Sequence, residues 1–483
     1  MPAILDPLRE RDLALLFSAK AVSVAGDGIY VVALAWQVYA LSNVPAALAT
    51  VGLALSVPQV ALFLLGGVLA DRFERRRVLL VADGVRAVAL TTLGALALSG
   101  ALELWHVVVL VAFVGAGDAL FYPAFSALLP ELAAGERLAR ANALDQLTRT
   151  VALRLVGPVL GGALVAGVGA GPAFVLDGLS FALSLLALSR IRRRPAPAAG
   201  HARRSVRTEL AEGVRYVRGE AWLACTLALA ALSLLLFWGP FEVLLPYVIR
   251  NDLGGGAGDF GAVLAAGGAG AVVATLWLGQ RGQPRRRMAA CYLAWGLMLS
   301  SLVGYGLVTA TWQAAAVYAV AYGLNAIAVV IFSTKVQESV PRELLGRVSS
   351  LDWVTSYALI PLSFALTGPV AGLIGARATL VGAGALGLAA TAAMWFGVPA
   401  LRATDGAAAS SAGLPGAQRR RRYARTRAGN PGSTAIASGG ACAPGGNSAS
   451  TEPPNPPPII RAPAAPASSI RSRACSTAGT EAS

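Results

Sequence analysis

Apolar residues in this chain run in long unbroken stretches and do not alternate. A lipid-facing strand alternates with a period of two, whereas a helix crossing a hydrocarbon core of about 30 Å needs roughly 20 successive apolar residues. Such stretches are read at 13–41, 46–70, 78–99, 104–129, 143–167, 171–189, 222–249, 258–279, 288–309, 311–334, 351–375 and 377–398. The pattern predicts an all-α integral membrane protein with twelve transmembrane helices. The first stretch carries Lys20 and Asp27 and is followed by Ser-Asn-Val-Pro, with no small-residue cleavage site, so it is expected to stay in the membrane.

Composition agrees. Of 483 residues, 56% are hydrophobic and 13% charged, against about 25% charged in a soluble chain, which excludes a water-soluble fold. The formal net charge of +15 could suggest nucleic acid as a partner, but the basic residues are placed by connection. They gather in alternate ones: Arg9 and Arg11; Arg72, Arg75, Arg76 and Arg77; Arg137 and Arg140; the stretch Arg190 to Arg218; Arg281 to Arg287; and Lys335, Arg342 and Arg347. The other connections carry only Arg250 and Arg377. The positive-inside rule then puts both termini in the cytoplasm, in a multi-pass protein of the cell (plasma) membrane with no nucleic-acid partner.

The central basic stretch divides the spans six and six. The expected organisation is a six-helix bundle at 1–189, a basic cytoplasmic linker at 190–221, a second six-helix bundle at 222–398 and a disordered cytoplasmic tail at 399–483. The linker reads as solvated chain or as a segment lying along anionic headgroups. The tail turns to Ala, Gly, Ser and Pro, with Arg419–Arg422 and a proline run near Pro456, a composition that builds no core. Cys225, Cys291, Cys442 and Cys475 have neither metal nor disulfide spacing.

The two halves repeat. Phe125 to Asp145 aligns without a gap with Phe332 to Asp352, sharing Phe, Ser, Glu, Glu, Leu, Arg, Leu and Asp, and Gly-Pro-Val follows at Gly157 and at Gly368. An offset of six spans preserves orientation, so the halves are parallel repeats about an axis along the membrane normal. A substrate site is expected between them, near the midplane.

The connection between the second and third spans reads Gly67-Val-Leu-Ala-Asp71-Arg72-Phe-Glu74-Arg75-Arg76-Arg77. Here the chain resembles the major facilitator superfamily, whose signature in this loop is a Gly, an acidic residue and clustered basic residues; a glycine usually stands where this chain has Glu74. The resemblance implies a gate formed by Gly67, Asp71, Arg72, Arg75 and Arg76, with Asp71 set at the positive end of the eleventh helix. The plainer reading is a tight turn with a basic anchor. In the fifth span, Gly157-Pro158-Val-Leu-Gly161-Gly162 resembles the antiporter motif of the same superfamily, with Leu153 where the family places a further glycine. The resemblance implies export by antiport, and close helix packing is the alternative reading. A longer stretch from Phe121 through Asn142 to Asp177-Gly-Leu-Ser-Phe181 is similar to the branch that includes enterobactin exporters and macrolide efflux proteins.

Charges inside a bilayer are costly, so each one asks for a partner or a task. Asp27, Asp118 and Arg154 are counted to one depth along their helices. They are the candidates for proton coupling, with Arg154 expected to neutralise Asp118 and Asp27 left as a proton carrier; a purely structural ion pair and an Asp27 in a water-filled vestibule are the alternatives. Asp83 with Arg86, and Asp145 with Arg149, are expected to be structural pairs within one helix. Trp36, Gln37, Gln59, Tyr122 and Glu242 are candidates for a substrate cavity, although aromatic residues near span ends also mark the interface.

Enzyme readings find no support. His106 and His201 are the only histidines, neither sits in a metalloprotease motif, and no phosphate-binding loop is present. The expectation is a secondary transporter, not an enzyme, moving a small amphipathic molecule outward by alternating access. Protons and the bilayer are its expected partners, with no cofactor beyond a proton gradient, no metal and a monomeric state. An uptake carrier or facilitator, and a non-transporting sensor or scaffold of the same fold, are the alternatives.

Overall fold

A computed structural model describes residues 3–133, 135–192 and 206–411, with a few side chains inside these ranges excepted. Among the described residues, twelve helices are long and apolar enough to cross a membrane. We number them α1 (Arg11–Leu41), α2 (Pro45–Arg72), α3 (Arg75–Leu98), α4 (Leu104–Leu132), α5 (Glu136–Val168), α6 (Ala170–Ser189), α7 (Ala221–Asp252), α8 (Ala257–Arg281), α9 (Arg287–Leu307), α10 (Thr311–Ser339), α11 (Leu344–Ile374) and α12 (Ala376–Gly397). Every expected span is present, most with ends shifted by a few residues, while α5 and α11 begin at Glu136 and Leu344 where 143 and 351 were expected. Large apolar side chains such as Val88, Leu183, Leu276, Leu373 and Phe396 point outward and exposed, which suits hydrocarbon as solvent and would be untenable in water.

The ends of the bundle differ in charge. The described segments Ala3–Arg9, Val206–Gly219 and Pro399–Ser411 lie at the arginine-rich end, here the basic end, and the opposite end is the far end. At the far end the halves meet through equivalent residues: the rings of Tyr39 and Tyr247 lie 5.6 Å apart in a T-shaped contact, and Asn43 and Asn251 bond each other. Such self-pairing is what an approximate twofold axis along the bundle requires. The Tyr39 hydroxyl donates to the Val243 carbonyl at 2.6 Å, and Arg250 donates to the Trp36 carbonyl.

Two spans are broken at corresponding depth. In α5 the residues Arg149–Val156 form a π-helix. Pro158 has no N–H to offer the Arg154 carbonyl four residues back, and the wider turn carries that carbonyl to the surface of α8. Gly268 receives it: a Cβ there would lie 2.7 Å from the Arg154 carbonyl carbon. In α11 the helix stops at Ala358 and restarts at Ile360, with Pro361 supplying the same interruption.

Two expectations about segments outside the spans need correction. Part of the segment taken as linker, Val206–Gly219, is a helix whose Tyr216 and Val217 are buried and whose Glu212 pairs with Arg347. The expected tail begins with another helix, Pro399–Ser411. Its Leu401 is fully buried, and both carboxylate oxygens of Asp405 accept 2.9 Å hydrogen bonds from the Met288 and Ala289 amides. A carboxylate satisfying free amides at the start of α9 is a strong reason for order. The rest of the expected tail lies outside the described residues.

Candidate functional site: an acidic centre and an aromatic cavity

The first polar centre lies inside the N-terminal six helices. Arg86 of α3 is held between the rings of Phe121 and Phe181, at 4.5 and 4.3 Å from their centroids. Its guanidinium donates to Asp83 on its own helix and, at 2.9 Å, to Asp118 of α4. The other oxygen of Asp83 accepts from Ser184 of α6 at 2.5 Å. Asp177 of α6 is fully buried, takes a 3.0 Å bond from Ser180 and packs against α1 where Gly26 leaves room for it. Asp27, one residue on from Gly26, is half-buried, and no hydrogen bond or ion pair joins it among the described residues. Asp27, Asp118 and Asp83 all lie within electrostatic reach of Arg86.

Four carboxylates thus gather near Arg86, two of them bonded to it, and Arg149 lies within electrostatic reach of Asp27 and Asp118. Asp27 and Asp118 come together as expected, but their cation is Arg86 and not Arg154. Counting residues from the start of each span fixes depth and says nothing about the face, and the wide turn in α5 aims Arg154 the other way. Asp83 and Arg86 do form the expected pair, which also belongs to the centre. Asp177 was not singled out for charge, although an acid in the middle of the sixth span was the signal that could have found it.

Asp145 is likewise not paired with Arg149. It pairs with Lys20 of α1, whose ammonium also sits 3.6 Å over the Phe125 ring. Arg149 lies 5.2 Å over the Tyr122 ring.

The second polar centre is a cavity of about 430 Å³, within the common range for small-molecule sites. Its walls come from α7, α9, α10 and α11, with aromatic side chains Phe237, Trp238, Trp295, Tyr322 and Phe332. It reaches Gln337 and Leu345, at the last turn of α10 and the first of α11, and so extends to the basic end. From the N-terminal half it is lined by Arg154, whose guanidinium lies 4.7 Å over the Tyr322 ring and interacts with Glu242. None of Trp36, Gln37, Gln59, Tyr122 and Glu242 lines this cavity: Trp36 lies under Arg250 at the far end, Tyr122 borders the acidic centre, and Glu242 serves Arg154. Aromatic residues that line a cavity and those that mark an interface look alike in a sequence, so Trp238 and Trp295 carried no distinguishing signal.

The two motif regions have separate settings. Arg75 pairs with Glu131 and donates to the Ala127 carbonyl at 3.0 Å. Arg76 donates to the carbonyls of Leu188 and Ser189, the last residues of α6, where a cation suits the helix end. Glu74 has φ −55°, a value any residue adopts, and pairs with Arg77 at 2.9 Å, so the turn needs no glycine there. Gly67 has open space beside it, Arg72 is exposed, and the side chain of Asp71 lies outside the described residues. In α5, a Cβ on Gly157 would fall 2.6 Å from the Gly28 Cα, and one on Gly162 would fall 3.1 Å from the Gly261 Cα. Pro158 and Gly161 stand on the same packed stretch, where Gly161 faces Ile29, so this glycine face presses α5 onto α1 and onto α8 of the other half.

Comparison with known proteins agrees with this architecture. The family model described as transmembrane secretion effector matches residues 3–425. The multidrug efflux pump Tap of Mycobacterium tuberculosis is 29% identical over 401 residues, covering 81% of this chain and 94% of that protein. The enterobactin exporter EntS of Salmonella paratyphi A is 28% identical over 345 residues, covering 70% and 80%. Among solved structures, a D-xylose-proton symporter superposes with a TM-score of 0.62 at 14% identity, covering 81% of this chain and 98% of that one. A bacterial homologue of the human lysosomal transporter Spinster does so at 0.59 and 16%, covering 82% and 98%. A match spanning all twelve helices leaves no room for an enzyme reading, and the chain belongs to the transmembrane secretion effector family of major facilitator superfamily transporters.

Proposed function

We propose that the protein exports a small amphipathic molecule from the cytoplasm in exchange for protons. The observation that carries this reading is the excess of carboxylates in the acidic centre: Asp27, Asp83, Asp118 and Asp177 lie together, with Arg86 bonded to two of them and Arg149 the second guanidinium within reach of Asp27 and Asp118. Uncompensated charge inside an apolar bundle is expensive, and taking up protons relieves it. Asp27, half-buried and without an ion-pair partner among the described residues, is the exchangeable site. Asp118 shares Arg86 with Asp83, so a proton arriving or leaving at Asp27 redistributes the hold of Arg86 on the other two.

The outward direction is supported by the relatives, a multidrug efflux pump and an enterobactin exporter. The basic end is read as cytoplasmic by the positive-inside rule, which puts both termini there and makes the described conformation inward-facing. On this reading substrate enters the aromatic cavity from the cytoplasm. The gate at Gly67, Asp71, Arg72, Arg75 and Arg76 closes in the opposite state, and the Gly157-Pro158-Gly161-Gly162 face is the packed seam on which the halves rock, in a protein working as a monomer.

The test is efflux from everted vesicles or proteoliposomes, using a panel of macrolides, siderophores and amphipathic dyes, with and without an imposed proton gradient. Gradient-dependent movement that Asp27→Asn abolishes is the expected result. Movement indifferent to the gradient would replace antiport by facilitated diffusion, and no movement of any compound would favour a sensor or scaffold.

A further inference from the structure

The internal repeat sets Asp145 beside Asp352 and Phe125 beside Phe332, each pair 207 residues apart. In the N-terminal half these two residues clasp an ammonium: Lys20 of α1 reaches across, pairs with Asp145 and rests on the Phe125 ring. A carboxylate joined to an aromatic face is a natural receptor for such a group.

The C-terminal half keeps the receptor and lacks the lysine. At the corresponding place α7 has Leu227-Ala228, and the second nearby cation, Arg149, is replaced by Ser356. Leu227, Phe332, Asp352 and Ser356 all line the aromatic cavity. Ser356 lies one helical turn on from Asp352, and no ion pair joins Asp352 among the described residues. The cavity's cation, Arg154, is already engaged by Tyr322 and Glu242. The two halves therefore present one receptor twice, once filled by the chain's own lysine and once opening on a cavity.

We infer that Asp352 and Phe332 form the substrate-recognition site for an organic cation, with Lys20 as the internal template for what they hold: an ammonium on a hydrophobic body. This rests on the exporter reading and narrows its substrate class. Asp352 makes the charge contact, Phe332 the face contact, and the remaining aromatic walls take the apolar body.

The test measures binding to the purified full chain at one pH and without a gradient, so that it is independent of transport. The probe is the fluorescent amine monodansylcadaverine, compared with its neutral N-acetyl derivative. Wild type is expected to prefer the amine roughly tenfold or more, the order expected of a charge-assisted contact. Asp352→Asn should lose that preference while binding the acetylated compound as before, and Asp352→Glu should restore it. Leu227→Lys, which supplies the missing lysine, should exclude the amine even if Asp352→Asn does not fold. Equal binding of both compounds by wild type, binding of neither, or a preference that survives Asp352→Asn would each overturn the inference. A preference that behaves as stated in a protein showing no efflux would instead overturn the exporter reading alone.

Discussion

Asn43 and Asn251 hold each other by a reciprocal pair of side-chain amide hydrogen bonds, 2.6 and 3.1 Å long. They stand 208 residues apart, and four residues before each is a tyrosine, Tyr39 or Tyr247, whose rings also touch. A Tyr-x-x-x-Asn segment written once in each half thus meets its own copy at the far end of the bundle. On the proposed alternating-access reading, this contact must open. Cysteines at both asparagine positions, joined by a bifunctional reagent, should stop transport, and cleaving the link should restore it. Transport at the normal rate in the linked protein would show that the far end need not separate.

Arg86 is the structural pin of the acidic centre as well as its counter-charge. Removing one partner of a buried, bonded charge set costs about 3–5 kcal/mol, chiefly through the carboxylates left behind. Arg86→Gln is expected to lower the unfolding temperature in detergent markedly. Arg86→Lys, which keeps the charge and loses the forked contact to Asp83 and Asp118, should recover only part of it. A variant as stable as wild type would mean that the carboxylates are satisfied without Arg86.

Asp27 should behave in the opposite way. Because no ion pair or hydrogen bond joins it among the described residues, Asp27→Asn removes a costly charge and no contact, and should leave the unfolding temperature equal to or above that of wild type. Gradient-driven efflux should be lost. A loss of stability matching that of Arg86→Gln would make Asp27 a structural partner after all.

Gly268 lets α8 approach the Arg154 carbonyl across the interface between halves. Gly268→Val should cost about 1–3 kcal/mol by overpacking and displace Arg154 from the Tyr322 ring. Thermal unfolding and ligand binding should therefore change together. Gly67→Ala, with open space beside it, should change neither in this conformation.

The spans were legible because a bilayer imposes a length that any helix must meet, and α1 through α12 begin and end close to where the apolar runs do. The pairing of charges was less legible. Helical spacing reveals Asp83 with Arg86, three residues apart, but not that Asp118 arrives from another helix to share the guanidinium. Depth placed Arg154 level with the aspartates, while Pro158 and the π turn decided which way it faces. Lys20 and Asp145 are far apart in sequence and adjacent only because α1 and α5 pack along a glycine face. Asp405 gave no hint at all, since its partners are backbone amides, which every residue but proline carries.

Through Asp405 the helix Pro399–Ser411 is fastened to the first turn of α9, so it belongs mechanically to the second half of the molecule. A fluorophore placed on that helix, paired with one on the 3₁₀ segment Ala3–Arg9 that Arg137 and Arg140 hold against α5, would turn the rocking of the two halves into a distance readable in real time. Asp405→Ala, which removes the fastening at about 1 kcal/mol, should blur that signal without slowing the cycle.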